Sequence, residues 1–148
     1  MAITWKRGNL LEDDAQCLVN CVNCVGVAGA GIALAFKERF PENYEDYKIQ
    51  CVKKLLRPGM VLLHSTGQRT ILNAATKDHW RDPSRMSWIL DIAESLFWYL
   101  RDNKVSMAIP ALGCGRGGLK WREVKPFIKQ YLGDINADVR VYEPMEAA

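Results

Sequence analysis

Apolar positions along this chain switch repeatedly between an alternating or continuous pattern and a helical one, which predicts strands interleaved with helices. Residues 3–7 alternate apolar and polar and read as a short first strand, followed by a turn and loop over residues 8–14. From Gln16 an apolar run with β-branched valines reads as a buried strand ending near Asn23. Ile32, Ala33, Phe36 and Phe40 then recur at helical spacing. Pro41 suits the first turn of a second helix, and Tyr44, Tyr47, Cys51, Val52 and Leu55 form its expected stripe. Arg57-Pro58-Gly59 stops it. Residues 60–64 and 70–74 read as two strands joined by a hairpin-like turn. A polar loop over residues 76–83 precedes a long helix carrying Trp88, Ile89, Ile92, Ala93, Leu96 and Leu100 and ending near Asn103. A buried strand over 105–110, a glycine loop over 113–118, a helix over 121–132 and a last strand over 138–142 complete the chain. That last helix is expected to turn Val124, Phe127, Ile128, Tyr131 and Leu132 to the core.

Crossover helices between buried strands predict an α/β sandwich with a mixed sheet, in which ligands bind beyond the carboxyl ends of the strands. Both glycine loops and the polar loop lie at such ends. The first, Gly26-Val27-Ala28-Gly29-Ala30-Gly31, sits between a strand and a helix. This arrangement holds phosphate, because glycine lets backbone N–H groups approach an anion and the helix N-terminus adds partial positive charge. The strand also delivers Asn20 and Asn23 towards the loop. Its G-x-x-G-x-G order is not the dinucleotide fingerprint G-x-G-x-x-G, which disfavours a nicotinamide-binding domain. The second, GCGRGGLK, lacks the Lys-Ser/Thr pair of a P-loop, which disfavours a nucleoside triphosphatase. Two such loops can clamp a diphosphate from both sides; the bland alternative is a pair of tight turns.

Composition narrows the setting. At 148 residues, residues 1–148 are expected to form a single domain. The chain lacks a bilayer-length apolar run and its N-terminus lacks the apolar core of a signal peptide, so a cytoplasmic protein without membrane association is expected. A net charge of +3 is too small to argue for nucleic acid by itself. Five cysteines, an odd number, fit free thiols in a reducing compartment. Cys21 and Cys24 form a C-x-x-C, but no second pair completes a zinc site. The cysteines are read as small buried residues, and neither a metal nor a cofactor is expected.

Several separate blocks in order carry a family resemblance: Gly8-Asn9-Leu10-Leu11, VNCVNCVGVAGAGIALAFK at 19–37, FPENYEDYK at 40–48, Asn73 with Thr76-Lys77, His79-Trp80-Arg81, IPALGCGRGGLKW at 109–121 and VYEP at 141–144. Together they resemble a macrodomain, the fold that binds ADP-ribose, over nearly the whole chain. Within that superfamily the chain is similar to the macrodomain of bacterial DNA ADP-ribosyl glycohydrolases, the antitoxin half of the DarT–DarG system. A more distant likeness is to the human terminal ADP-ribose glycohydrolase. The resemblance implies a three-layer α/β/α sandwich around a mixed central sheet.

It also implies a set of roles. Ala28, Gly29, Ala30 and Gly31 with Ile32, and Gly113, Cys114, Gly115, Arg116, Gly117 and Gly118, would wrap the diphosphate and distal ribose. Asn23 would contact the distal ribose and take part in catalysis, with Asn20 and Thr76 among the ligand contacts. Asn9, with Leu10, stands where macrodomains usually carry an adenine-recognising Asp, and Tyr142 would lie beside the adenine ring. Lys77 would carry the reaction, which for a nucleophilic amine demands a pKa depressed by burial or by cationic neighbours such as Arg81 or Arg116. His79, Trp80 and Arg81 would contact the modified nucleobase; the alternative for Trp80 is packing under the loop. Two departures stand out. Gly117 replaces an acidic residue of the human relative, leaving Asp78, His79 or a substrate phosphate as the acid or base. Ala74-Ala75 replaces the Phe-Pro that the bacterial enzymes commonly carry before Thr76.

The implied function is hydrolysis of the N-glycosidic bond between ADP-ribose and a DNA base, a thymidine or guanosine adduct, opposing a cognate ADP-ribosyltransferase toxin. The alternatives are a reader of ADP-ribose without turnover, a phosphatase for ADP-ribose 1″-phosphate, and a glycohydrolase for protein adducts.

Overall fold

The computed structural model describes residues 3–145. Among them, β1 (Thr4–Lys6) is followed by a single 3-10 turn (Leu10–Glu12), β2 (Cys17–Val22), α1 (Gly31–Arg39) and α2 (Pro41–Val52). The hairpin β3 (Val61–Ser65) and β4 (Thr70–Ala75) comes next, then α3 (Met86–Asn103), β5 (Met107–Ile109), α4 (Trp121–Leu132) and β6 (Val139–Tyr142). The strands form one mixed sheet in the order β1-β6-β5-β2-β4-β3, with only β3–β4 antiparallel.

Strand alternation separates two apolar layers. Val19 and Leu72 face Ile89, Ile92 and Leu96 of α3 and Val124, Ile128 and Leu132 of α4. Leu18 and Ile71 face Phe36 of α1, while Val22 and Ala75 pack with Tyr47 and Cys51 of α2. The result is the expected α/β/α sandwich. No helix among the described residues is long and apolar enough to cross a membrane.

The predicted stripe on α2 is only half right. Tyr47 and Cys51 are buried, but Val52 is 74% exposed and Leu55 57% exposed. The helix ends at Val52, and Lys54 adopts a left-handed φ of 57°, so Leu55 lies outside the helix and Leu56 enters the core instead. The remaining inward position of α2 is polar. Asn43 is buried beneath the sheet and donates its Nδ2 to Asn73 Oδ1 at 3.1 Å, receiving Asn73 Nδ2 at 2.8 Å in return. Asn20, which pairs with Asn73 in the β2–β4 register, donates to the same oxygen at 3.2 Å.

Asn73 is therefore the hub of a buried amide cluster joining α2 to the sheet. Asn73→Ala strands the Asn20 and Asn43 donors without water, and is expected to cost about 2–4 kcal/mol of stability in denaturant unfolding. A loss below about 1 kcal/mol would show that the cluster contributes little.

Candidate functional site

A cavity of about 900 Å³ opens at the carboxyl ends of β1, β2, β4, β5 and β6. That volume falls within the size range of small-molecule sites. It is walled by the two glycine loops, the start of α1, the loop after β4 and the segments after β1 and β6.

The first wall is built around Asn23. Its Oδ1 accepts from the backbone N–H of Val25 at 3.0 Å and Gly26 at 3.1 Å and from the Tyr47 hydroxyl at 2.9 Å. Its Nδ2 donates to the Val27 carbonyl at 2.8 Å. The amide thus acts first as a template for the loop and keeps one Nδ2 hydrogen for a ligand. The loop delivers the chain into α1, whose N-cap, Ala30, has no side chain able to satisfy the first-turn N–H groups. Those donors, with the positive end of the helix dipole, face a cavity lined by Gly29, Ala30, Gly31, Ile32 and Ala33. Ala28 lines the same wall.

The second wall runs from Gly113 to Gly117. Gly117 lies so close to the Gly113 carbonyl and to Ser84 Oγ that any added Cβ would overlap both. The Ser84 N–H donates to the Gly117 carbonyl at 2.9 Å, tying this loop to the segment that leads into α3. Gly118, φ +78°, closes the turn but does not line the cavity.

Lys77 lies on the loop after β4 and lines the cavity with Thr76 and Arg116. Its Nζ donates to the Trp80 carbonyl at 3.0 Å. Burial lowers the amine's pKa and the Arg116 guanidinium lowers it further, against an opposing pull from Asp82. The loop is pinned to the first wall through Cys24 N–H and the Asp78 carbonyl, 3.0 Å apart. Trp80, 49% exposed, stands at the rim instead of packing underneath. His79 stacks beside it with ring centroids 5.2 Å apart, and Arg81 lies 5.5 Å from the Trp80 ring. Neither His79 nor Arg81 lines the cavity, and neither does Asp78. The only carboxylate among the described lining residues is Glu143, held by Lys125 at 2.8 Å and Trp121 Nε1 at 2.9 Å.

At the end of the cavity formed by the segments after β1 and β6, Asn9 caps the 3-10 turn through Oδ1 and the Leu11 N–H at 3.0 Å. Asn9, Leu10, Leu11 and Tyr142 line this end. The Tyr142 hydroxyl donates to Asp13 Oδ2 at 2.6 Å. Burial alone would raise the Asp13 carboxyl, but Tyr142, the Ala15 N–H and Arg140 outweigh it and hold the pKa down at about 2. The unfolded carboxyl titrates near 3.8, so the stabilisation is complete above that pH and is lost as pH falls towards 2. The stability gap between wild type and Asp13→Asn is expected to shrink by about 2 kcal/mol between roughly pH 5 and pH 2. A gap that stays constant in urea titrations across that range would rule this out.

Asn20 is the one predicted asparagine that the fold keeps away from the cavity. Its side chain points to the α2 face of the sheet, where it donates to Asn73 Oδ1, the oxygen that also accepts from Asn43. Sequence reasoning missed Asp13, Tyr47 and Ser84, whose partners lie far along the chain and leave no local pattern. All five cysteines are free. Burial pushes Cys21 and Cys24 up to about 12 and Cys114 to about 11, so the thiols stay protonated. Among the described residues no three His, Cys, Asp or Glu side chains group in a way that could hold a metal.

Comparison with known proteins bears on the family and the fold. The Macro domain family model matches residues 19–128. A DNA ADP-ribosyl glycohydrolase of Thermus aquaticus is 43% identical over 97% of this chain, and one from Mycobacterium tuberculosis is 41% identical over 96%. The chain spans about 42% of the length of each of these curated relatives. The solved macrodomain of Thermus aquaticus DarG superposes with a TM-score of 0.89 at 41% identity, covering 96% of this chain and 98% of that one. Thermosipho africanus DarTG in complex with ADP-ribose superposes at 0.88 with 32% identity, over 95% of this chain and 41% of that one. On the family match, the identities and the shared fold, the chain belongs to the macro domain family.

Proposed function

We propose that this chain, read over residues 1–148 as a single macrodomain, binds ADP-ribose and hydrolyses the N-glycosidic bond joining it to a DNA base, a thymidine or guanosine adduct. The observation that carries the reading is Lys77: an amine of lowered pKa in a cavity whose other walls are two glycine loops and an uncapped helix N-terminus. An anion cradle alone would serve a reader; a lysine of lowered pKa beside it serves a reaction. The names of the relatives and the ADP-ribose bound by the Thermosipho protein support the same reading.

In this mechanism the diphosphate lies between the α1 N-terminus and the 113–117 loop, which places the distal ribose towards Lys77. The neutral amine attacks the anomeric carbon, forming a C–N bond as the bond to the base nitrogen breaks. The departing base takes up a proton, and water then displaces the lysine and releases ADP-ribose. No carboxylate among the described lining residues stands on the Lys77 wall, so the proton is assigned to water or a substrate phosphate. Trp80, with His79 and Arg81 behind it, is the surface for the modified base; base–aromatic stacking contributes roughly 1–3 kcal/mol.

A relative from Thermosipho africanus joins an ADP-ribosyl transferase and a glycohydrolase in one protein, at 33% identity over 97% of this chain. By analogy, the partner of this chain is a cognate ADP-ribosyltransferase toxin, and the setting is the cytoplasm. One experiment tests the reading. The protein is incubated with oligonucleotides ADP-ribosylated on thymine or guanine, with ADP-ribose 1″-phosphate, and with protein ADP-ribosylated on glutamate. Release of ADP-ribose from an oligonucleotide is expected. Binding without release would make it a reader, and turnover confined to the phosphate or protein substrate would transfer the activity to those classes.

A further inference from the structure

Asp13 is an unusual residue for its position. It lies in a loop, its side chain is wholly buried, and it touches no ligand-facing surface. Each of its oxygens receives two donors. Oδ1 takes the Ala15 N–H at 2.8 Å and Arg140 Nη1 at 2.7 Å. Oδ2 takes the Tyr142 hydroxyl at 2.6 Å and Lys6 Nζ at 3.4 Å. These partners come from β1, β6 and the segment before β2, the elements that frame one end of the cavity. The residue also closes the 3-10 turn that carries Leu10 and Leu11, since its N–H donates to the Leu10 carbonyl at 3.0 Å.

The chemistry of that end is distinct from the rest. The middle of the cavity offers backbone donors for phosphate, and the Lys77 side offers a reactive amine. The Tyr142 end offers an aromatic ring and two leucines, which suits a flat heteroaromatic ring. Tyr142 can tilt about its side-chain bonds unless its hydroxyl is held, and stacking falls off with misalignment. Lys6 Nζ, which shares Asp13 Oδ2 with that hydroxyl, sits 5.5 Å from the ring centroid.

We propose that Asp13 is a positioning residue for ligand binding: through the Tyr142 hydroxyl it fixes the aromatic wall against which the purine end of ADP-ribose stacks. This rests on the ADP-ribose reading above. Burial and the Asp13 charge raise the Tyr142 phenol's pKa, so it remains a donor at neutral pH and above.

A double-mutant cycle on affinity tests it, using AMP and ADP-ribose as ligands and wild type, Tyr142→Phe, Asp13→Asn and the double variant as proteins. Tyr142→Phe keeps the ring and removes only the tether. It is expected to weaken both ligands about five-fold while its melting temperature falls by no more than about 10 °C, so that the protein stays folded at assay temperature. Asp13→Asn is expected to weaken them at least as much, and the double variant no more than Asp13→Asn alone. With ADP-ribosylated oligonucleotide the loss should fall on KM and not on kcat. Unchanged affinity in Tyr142→Phe, or additive losses in the double variant, would overturn the positioning role. Should Asp13→Asn fail to fold, Tyr142→Phe alone still decides. Wild type that binds neither ligand would overturn the ADP-ribose reading itself, and this inference with it.

Discussion

Lys77→Ala is expected to reduce release of ADP-ribose from a modified oligonucleotide by about a thousand-fold or more, with the Kd for free ADP-ribose within about three-fold of wild type. The asymmetry follows from geometry. The anion-binding groups are backbone donors of the α1 start and the second glycine loop, and none depends on the lysine. The amine's own partner in this structure is a carbonyl within its loop, so its removal leaves no buried charge unpaired. A variant that turns over at the wild-type rate would dismiss the lysine mechanism. The pH profile gives a second view. The reactive form is the neutral amine, so the rate should climb as pH rises through the lowered Lys77 pKa. Burial is the larger cause of that lowering and Arg116 the second. Arg116→Gln should therefore move the rising limb to higher pH without abolishing it. A limb that stays in place would detach Arg116 from the lysine.

The second large effect is expected from Gly29→Glu. A Cβ at Gly29 meets only Val27 Cγ1 at 4.0 Å and the backbone there is not left-handed, so the fold accepts a side chain. The new carboxylate would project into the cradle assigned to the diphosphate. Like charges about 5 Å apart at a partly screened site repel by about 3 kcal/mol, so affinity for ADP-ribose should fall roughly a hundred-fold. The loss should shrink at high ionic strength, as screening requires. Gln68→Glu, exposed in the turn between β3 and β4 and outside the cavity, controls for charge alone and should bind normally. Isothermal titration at two salt concentrations makes the comparison. If Gly29→Glu binds as wild type does, the diphosphate does not occupy this cradle.

Much of the fold was readable from local pattern. The spacing of Ile89, Ile92, Leu96 and Leu100 predicted α3, and the apolar run with β-branched valines along β2 predicted a buried strand, because both patterns are properties of a few adjacent residues. The pattern misled where an element ended. Val52 and Leu55 continue the apolar period of α2, yet the helix ends at Val52, the chain turns at Lys54, and both side chains stay exposed. The two asparagines of β2 show the same limit within the site. Asn20 and Asn23 look alike in sequence, but one joins an amide cluster under α2 and the other shapes the first glycine loop.

The order of strands and helices, the two glycine loops and the family could be read from the chain by itself, since each rests on contiguous residues. What these residues can do was decided by distant partners. Lys77 acquires its lowered pKa from burial and from Arg116 on another loop. The Tyr142 hydroxyl finds its acceptor in Asp13, 129 positions earlier. Asn23 is held by Tyr47 from the second helix. Local periodicity encodes which elements form, because it is set by backbone geometry. Charge state and side-chain orientation depend on what is packed within a few ångströms, and only the folded chain brings those groups together.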